Sequence, residues 1–272
     1  MIGQEILLSK IDRLIDYSFP RFVILAGPKY SGKHLVSKYI AKKLSATLVD
    51  SGIKVDEIRE TISLAYKQSE PTVYLLADAD KMSPAAKNAI LKVTEEPPRQ
   101  AYFIMTLTDL NNTLATLRSR GTVLTMDNYQ PDEMLEYAQL KGYTFTEEEK
   151  SIVMSVCRTP GEVDTLATYN ITEFYQFVET VADNIGKVNG ANAFKIGSRL
   201  NYKEEDTGYD ITLFLRALMD VYLQKAHKKP LTSLMSIRTI SKYLAETSIT
   251  GINKSATIDM LILELRGIWL PQ

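Results

Sequence analysis

Five short apolar runs with the β-branched and aromatic character of strands mark the first half of the chain. They are Phe22–Ala26, Ala46–Asp50, Val73–Ala77, Tyr102–Thr106 and Thr122–Met126. Between them the apolar positions change to a helical period, at Leu35–Leu44, Val55–Lys67 and Pro84–Thr94. In the second of these Val55, Ile58, Ile62 and Ala65 share one face. Strands alternating with helices predict a parallel sheet covered on both faces. The alternation stops after Asn128. Pro131–Leu140, Glu147–Val156 and Gly161–Ala167 then predict three short helices, with Thr146 as an N-cap ahead of Glu149. From Ile171 onward the pattern is helical, clearest in Thr212–Lys225 and Ser255–Leu265, and the polar stretch Asn201–Tyr209 predicts a connector. The expected organisation is an α/β domain over residues 1–128, a small helical domain over 129–169 and a larger helical domain over 170–272.

Composition narrows the chemistry. With 32 basic and 33 acidic residues among 272, the chain has no net field to steer it toward nucleic acid or a membrane surface. A single cysteine, Cys157, excludes an internal disulfide framework and a cysteine-rich zinc module. It occupies an apolar helical position, which reads as core. The two histidines, His34 and His227, offer little for a metal centre, so none is expected. No apolar run reaches membrane-spanning length and no signal sequence is evident, so a soluble cytoplasmic protein without membrane contact is the expectation.

The most specific motif follows the first strand. Gly27, Pro28, Lys29, Tyr30, Ser31, Gly32, Lys33 and His34 complete a phosphate-binding loop, G-x-x-x-x-G-K-[ST], at every position but the last. Such a loop uses backbone N–H groups to wrap phosphate oxygens, a lysine for the β- and γ-phosphates and a hydroxyl for magnesium. The strand before it and the helix after it supply the context a working loop requires. His34 stands where the hydroxyl belongs, and imidazole is not the small oxygen ligand Mg²⁺ prefers. At the end of the third strand, Val73–Asp80 read Val-Tyr-Leu-Leu-Ala-Asp-Ala-Asp, without the adjacent acidic pair that would hold metal and activate water. Asp78 is the best-placed carboxylate, and Asp80 reads as a cap for the turn that follows. Hydrolysis by this chain is therefore not expected. Ser119-Arg120-Gly121, ahead of the last strand, presents an arginine of the kind that stabilises charge on a phosphate bound in a neighbouring subunit.

Ala79–Pro98, ending Leu-Lys-Val-Thr-Glu-Glu-Pro-Pro, resembles the bacterial clamp-loader AAA+ signature Leu-Leu-Lys-x-Leu-Glu-Glu-Pro-Pro. Ile2-Gly3-Gln4-Glu5, Val55–Glu60, Phe103–Asp109 and Leu117–Arg120 match in the family order. Within the family the chain is most similar to the delta-prime branch of DNA polymerase III clamp loaders. The resemblance implies an AAA+ P-loop core with a five-stranded parallel sheet, a helical lid and an all-helical C-terminal collar that joins a hetero-oligomer. It places Ala77 at the metal-binding aspartate and Asp78 at the catalytic glutamate. Arg120 falls on the arginine finger acting in trans beside Ser119, with Gly121 replacing a cysteine. Thr106 and Thr108 both lie in the sensor-1 segment, and Arg158 is the only candidate at the sensor-2 helix start. The zinc-binding cysteines of many members are absent.

The implied role is a non-hydrolysing stator with partners among clamp-loader ATPase subunits, a delta-type subunit, the sliding clamp and primer-template DNA held through the complex. The residues leave open whether ATP or ADP still binds the degenerate loop. They also leave open an active gamma/tau-like motor and a pure scaffold. Trp269 is expected to be buried, in a collar or against the last helix, and His227-Lys228-Lys229 to be a solvated helix end.

Overall fold

The computed structural model describes residues 2–188, 196–201, 208–247 and 252–270. They form two compact units, Met1–Tyr129 and Gln130–Gln272. The first holds five parallel strands, β1 (Phe22–Ala26), β2 (Thr47–Ser51), β3 (Thr72–Leu76), β4 (Ala101–Leu107) and β5 (Thr122–Thr125), in the order β2-β3-β4-β1-β5. Its helices are α1 (Glu5–Tyr17), α2 (Lys33–Lys43), α3 (Val55–Lys67), α4 (Pro84–Glu95) and α5 (Ala115–Arg118).

Alternation along the strands divides the core into two layers. Phe22, Ile24, Tyr74, Leu76, Phe103 and Met105 face one side and bury Ile58 and Ala65 of α3, Ile90 and Val93 of α4 and Leu117 of α5. Val23, Leu25, Val73, Leu75 and Ile104 face the other and bury Leu7 and Ile11 of α1 with Val36 and Ile40 of α2. The Tyr74 and Phe103 rings stack across β3 and β4 with centroids 5.3 Å apart. The register aligns Ala26 with Leu107 and Leu76 with Met105, so β1 and β4 end together at one edge and β3 ends there two residues earlier. Chain reversals at that edge of an open parallel sheet are where such folds place ligands.

The second unit contains α6 (Pro131–Leu140), α7 (Glu147–Val156), α8 (Pro160–Leu166), α9 (Ile171–Asn184), α10 (Ile211–Lys225), α11 (Pro230–Thr247) and α12 (Lys254–Trp269). Thr146 caps α7 in a reciprocal capping box with Glu149, as the spacing predicts. The run from Ile171 is not entirely helical: β6 (Leu200–Asn201) and β7 (Tyr209–Asp210) form a two-residue parallel pair. Most of the expected connector between them lies outside the described residues. Trp269 packs within its own unit, stacking on Tyr222 at 5.4 Å and donating from Nε1 to Ser236 Oγ at 2.8 Å. Lys229 is also engaged, its ammonium 5.1 Å from the Trp269 ring centroid.

Candidate functional site

The phosphate-loop residues occupy the edge where β1 ends. The loop leaves the sheet through a hydrogen bond from Gly27 N–H to Leu107 carbonyl, 3.0 Å. Gly27 must be glycine, because a Cβ there would come within 2.5 Å of Met126 Cγ. Tyr30 and Gly32 both adopt left-handed backbone, φ 63° and 92°, which turns the chain into α2 with Gly32 as its N-cap. Tyr129 donates its hydroxyl to Ser31 carbonyl at 2.6 Å and fastens the loop from the far end of the unit. Lys29 is folded over the ring of its neighbour Tyr30, 4.5 Å from the centroid, and Pro28 contributes its carbonyl to the loop's interior contacts.

Lys33 is turned inward. Its ammonium donates to Gly27 carbonyl at 2.8 Å and Pro28 carbonyl at 2.7 Å, and the residue is only 8% exposed. Burial lowers its pKa, while the Asp78 and Asp80 carboxylates oppose that shift. Ser31 Oγ is buried without a hydrogen-bond partner among the described residues. His34 is directed to Asp50: its Nδ1 lies 3.7 Å from Asp50 Oδ1, and both side chains are well exposed.

The ends of β3 and β4 form the wall beside the loop. Asp78 adopts left-handed backbone, φ 52°, and its N–H donates to the buried Thr106 Oγ1 at 3.0 Å. Its carboxylate pairs with Lys81, Oδ2 to Nζ 3.3 Å. Asp80, expected to cap the turn after it, accepts from the N–H groups of Thr108 at 2.8 Å and Asp109 at 3.4 Å in the loop after β4. The two candidate threonines therefore differ in kind. Thr106 is inside a core strand with its hydroxyl on the β3 terminus, whereas Thr108 lies past the strand and uses its backbone.

These donors do not suit a nucleotide's magnesium. Ala77 has no carboxylate, Asp78 is paired with Lys81, and His34 is directed to Asp50. No group of three or more metal-type side chains gathers among the described residues.

Arg120 sits on a separate turn. After α5, Ser119 Oγ and Arg120 Nη1 both donate to Thr116 carbonyl, at 3.1 Å and 2.7 Å. Arg120 Nε and Nη2 both donate to Glu95 Oε1 at the end of α4, at 3.0 Å and 2.6 Å. Gly121 is required by packing, since a Cβ would lie 2.9 Å from Phe22 Cε1 and 3.0 Å from Ile24 Cγ1.

Several known proteins are similar to this chain. The family model described as DNA polymerase III, delta subunit, matches residues 47–130. The gamma subunit of DNA polymerase III from Buchnera aphidicola subsp. Schizaphis graminum is 27% identical over 165 residues, 48% of this chain and 46% of that protein. The delta' subunit from Yersinia pestis is 40% identical over 73 residues, 26% of this chain and 22% of that protein. The α/β unit is similar to DNA polymerase III clamp-loader subunits of the gamma and delta' kinds. A solved gamma subunit-related protein from Thermotoga maritima shares the fold over 96% of this chain and 99% of its own, with a TM-score of 0.53 at 16% identity. The aligned stretches span less than half the length of the curated relatives.

Several contacts around these residues carry no signal in the sequence pattern. Glu95 is legible as part of Glu-Glu-Pro-Pro but not as the partner of Arg120, 25 residues away. Gln4 is legible as part of the amino-terminal motif, whereas its pairing with Asp127 spans 123 residues. Arg158 belongs to the other unit, where it donates to the carbonyls of Met154 at 3.2 Å and Cys157 at 2.9 Å and closes the end of α7. Among the described helices none is long and apolar enough to cross a membrane.

Proposed function

We propose that this chain is a non-hydrolysing, delta-prime-like subunit of a DNA polymerase III clamp loader, and that Arg120 acts at the ATP site of a neighbouring ATPase subunit. The observation that carries the reading is a contrast within one unit. At the chain's own loop the lysine is tied to loop carbonyls, the hydroxyl position is a histidine facing Asp50, and the residue after β3 is Ala77. On the other turn Arg120 is held at a fixed angle by two acceptors while keeping a third of its side-chain surface open, 34%.

In this reading Lys33, Ser31 and Gly32 shape the loop, Thr106 fixes the end of β3, and none of them drives a chemical step. Arg120 presents positive charge to phosphate oxygens of the adjacent subunit, where such a finger stabilises the charge of the transferring phosphoryl group. The partners of the assembly are ATPase subunits, a delta-type subunit, the sliding clamp and primed DNA, and the site of action is the cytoplasm.

ATP turnover by the purified chain, alone and with the ATPase subunit that copurifies with it, tests the reading. The chain alone turns over no ATP, and the mixture exceeds the ATPase subunit by itself. Turnover by the isolated chain favours a gamma/tau-like motor instead, consistent with its similarity to gamma subunits. An unstimulated mixture leaves a scaffold.

A further inference from the structure

We infer that Glu95 is a positioning residue for Arg120, holding the guanidinium so that two of its donors point outward as a preformed phosphate fork. The inference rests on the reading of Arg120 as a finger used by a neighbouring subunit.

Arginine has five N–H donors in a rigid plane. Glu95 Oε1 takes Nε and Nη2, and Thr116 carbonyl takes Nη1. Among the described residues three of the five are engaged, and two remain on the terminal nitrogens. The arrangement fixes the plane of the guanidinium without consuming the pair of donors suited to two phosphate oxygens. An arginine on a flexible stem would have to be ordered when nucleotide arrives; here that ordering is built into the fold.

The placement of Glu95 is otherwise unfavourable. It is the last residue of α4, where a carboxylate opposes the negative end of the helix dipole. Pro97 and Pro98 prevent the helix from continuing, and Glu96 leaves helical geometry at φ −129°, ψ 71°. The helix therefore stops where Glu95 can reach the turn after α5. Its side chain is 52% exposed, so burial does not keep it in place. Arg120 is the cation that answers its charge.

The test uses the full chain carrying Glu95→Gln, Arg120→Ala or both, alone and reassembled with its ATPase partner. In the isolated chain, the Arg120 Nε–H resonance exchanges with solvent slowly in the unsubstituted protein and faster in Glu95→Gln, with unchanged melting. In the complex, Arg120→Ala lowers kcat. Glu95→Gln lowers it by roughly tenfold at unchanged KM, the scale expected from loss of orientation. Glu95→Gln adds nothing to Arg120→Ala.

If Arg120→Ala reduces turnover and Glu95→Gln leaves it unchanged or raises it, the positioning role is overturned and the finger stands. If Arg120→Ala has no effect, the finger reading itself falls. Equal Nε–H exchange in the two chains also overturns the positioning role, whatever the complex does.

Discussion

The side-chain amide of Gln4 pairs with the backbone of Asp127 as another strand would. Its Nε2 donates to Asp127 carbonyl at 3.0 Å, its Oε1 accepts from Asp127 N–H at 2.9 Å, and the residue is fully buried. The amino-terminal segment is thereby sewn to the chain just beyond β5. Gln4→Glu turns a donor into an acceptor facing a carbonyl, and a buried group left unsatisfied costs about 1–3 kcal/mol. Urea denaturation of this variant should show a loss of that size.

Lys33 gives the second prediction. Because its ammonium already serves two carbonyls of its own loop, Lys33→Ala leaves those carbonyls without their donor and lowers the melting temperature of the chain. On the proposed function the neighbour's chemistry does not use this lysine, so turnover of the assembled complex is predicted to stay within about twofold, under 0.5 kcal/mol in barrier. Thermal melting and steady-state ATP hydrolysis on one preparation read both halves.

Placing at Gly121 the cysteine of the clamp-loader signature that the sequence resembles is expected to harm this chain. The new Cβ overlaps the Phe22 ring and Ile24, and overpacking of that kind costs about 1–3 kcal/mol. Pairing Gly121→Cys with Phe22→Leu should recover part of the loss in a double-mutant denaturation series.

Cys157 is buried at the end of α7, and burial together with Glu162 raises its pKa well above the ordinary thiol range, the nearby arginines opposing. The folded protein should resist thiol-specific alkylation at pH 8 and react after denaturation. An acid whose folded pKa is raised stays protonated where the unfolded chain ionises. Its contribution to stability is therefore intact below the ordinary thiol value and is lost as pH rises above about 9, by up to about 1.4 kcal/mol per unit. A Cys157→Ser comparison of stability against pH isolates the slope.

Local pattern made most elements legible, to within a residue or two. Phe22–Ala26, Val55–Lys67, Pro131–Leu140 and Glu147–Val156 have the bounds their periodicity predicts. β3 is shifted one residue from its predicted position, because Thr72 pairs with Ala101 and Asp78 begins a left-handed turn. The β6–β7 pair was hidden because two residues carry no period. At the site, the sequence identified the residue types, since loop chemistry depends on neighbours in the chain. It could not show Lys33 folded onto Gly27, His34 facing Asp50 or Glu95 under Arg120. Those contacts are made by tertiary packing or by a choice of side-chain rotamer, and neither leaves a periodic trace.

The central claim is that this chain serves another subunit's ATP site and not its own. The most direct measurement is steady-state ATP hydrolysis by the complex reassembled with the Arg120→Ala chain, at equal assembly by gel filtration. The account predicts that turnover falls well below that of the unsubstituted complex while the subunits remain together. Turnover equal to that of the unsubstituted complex would contradict it.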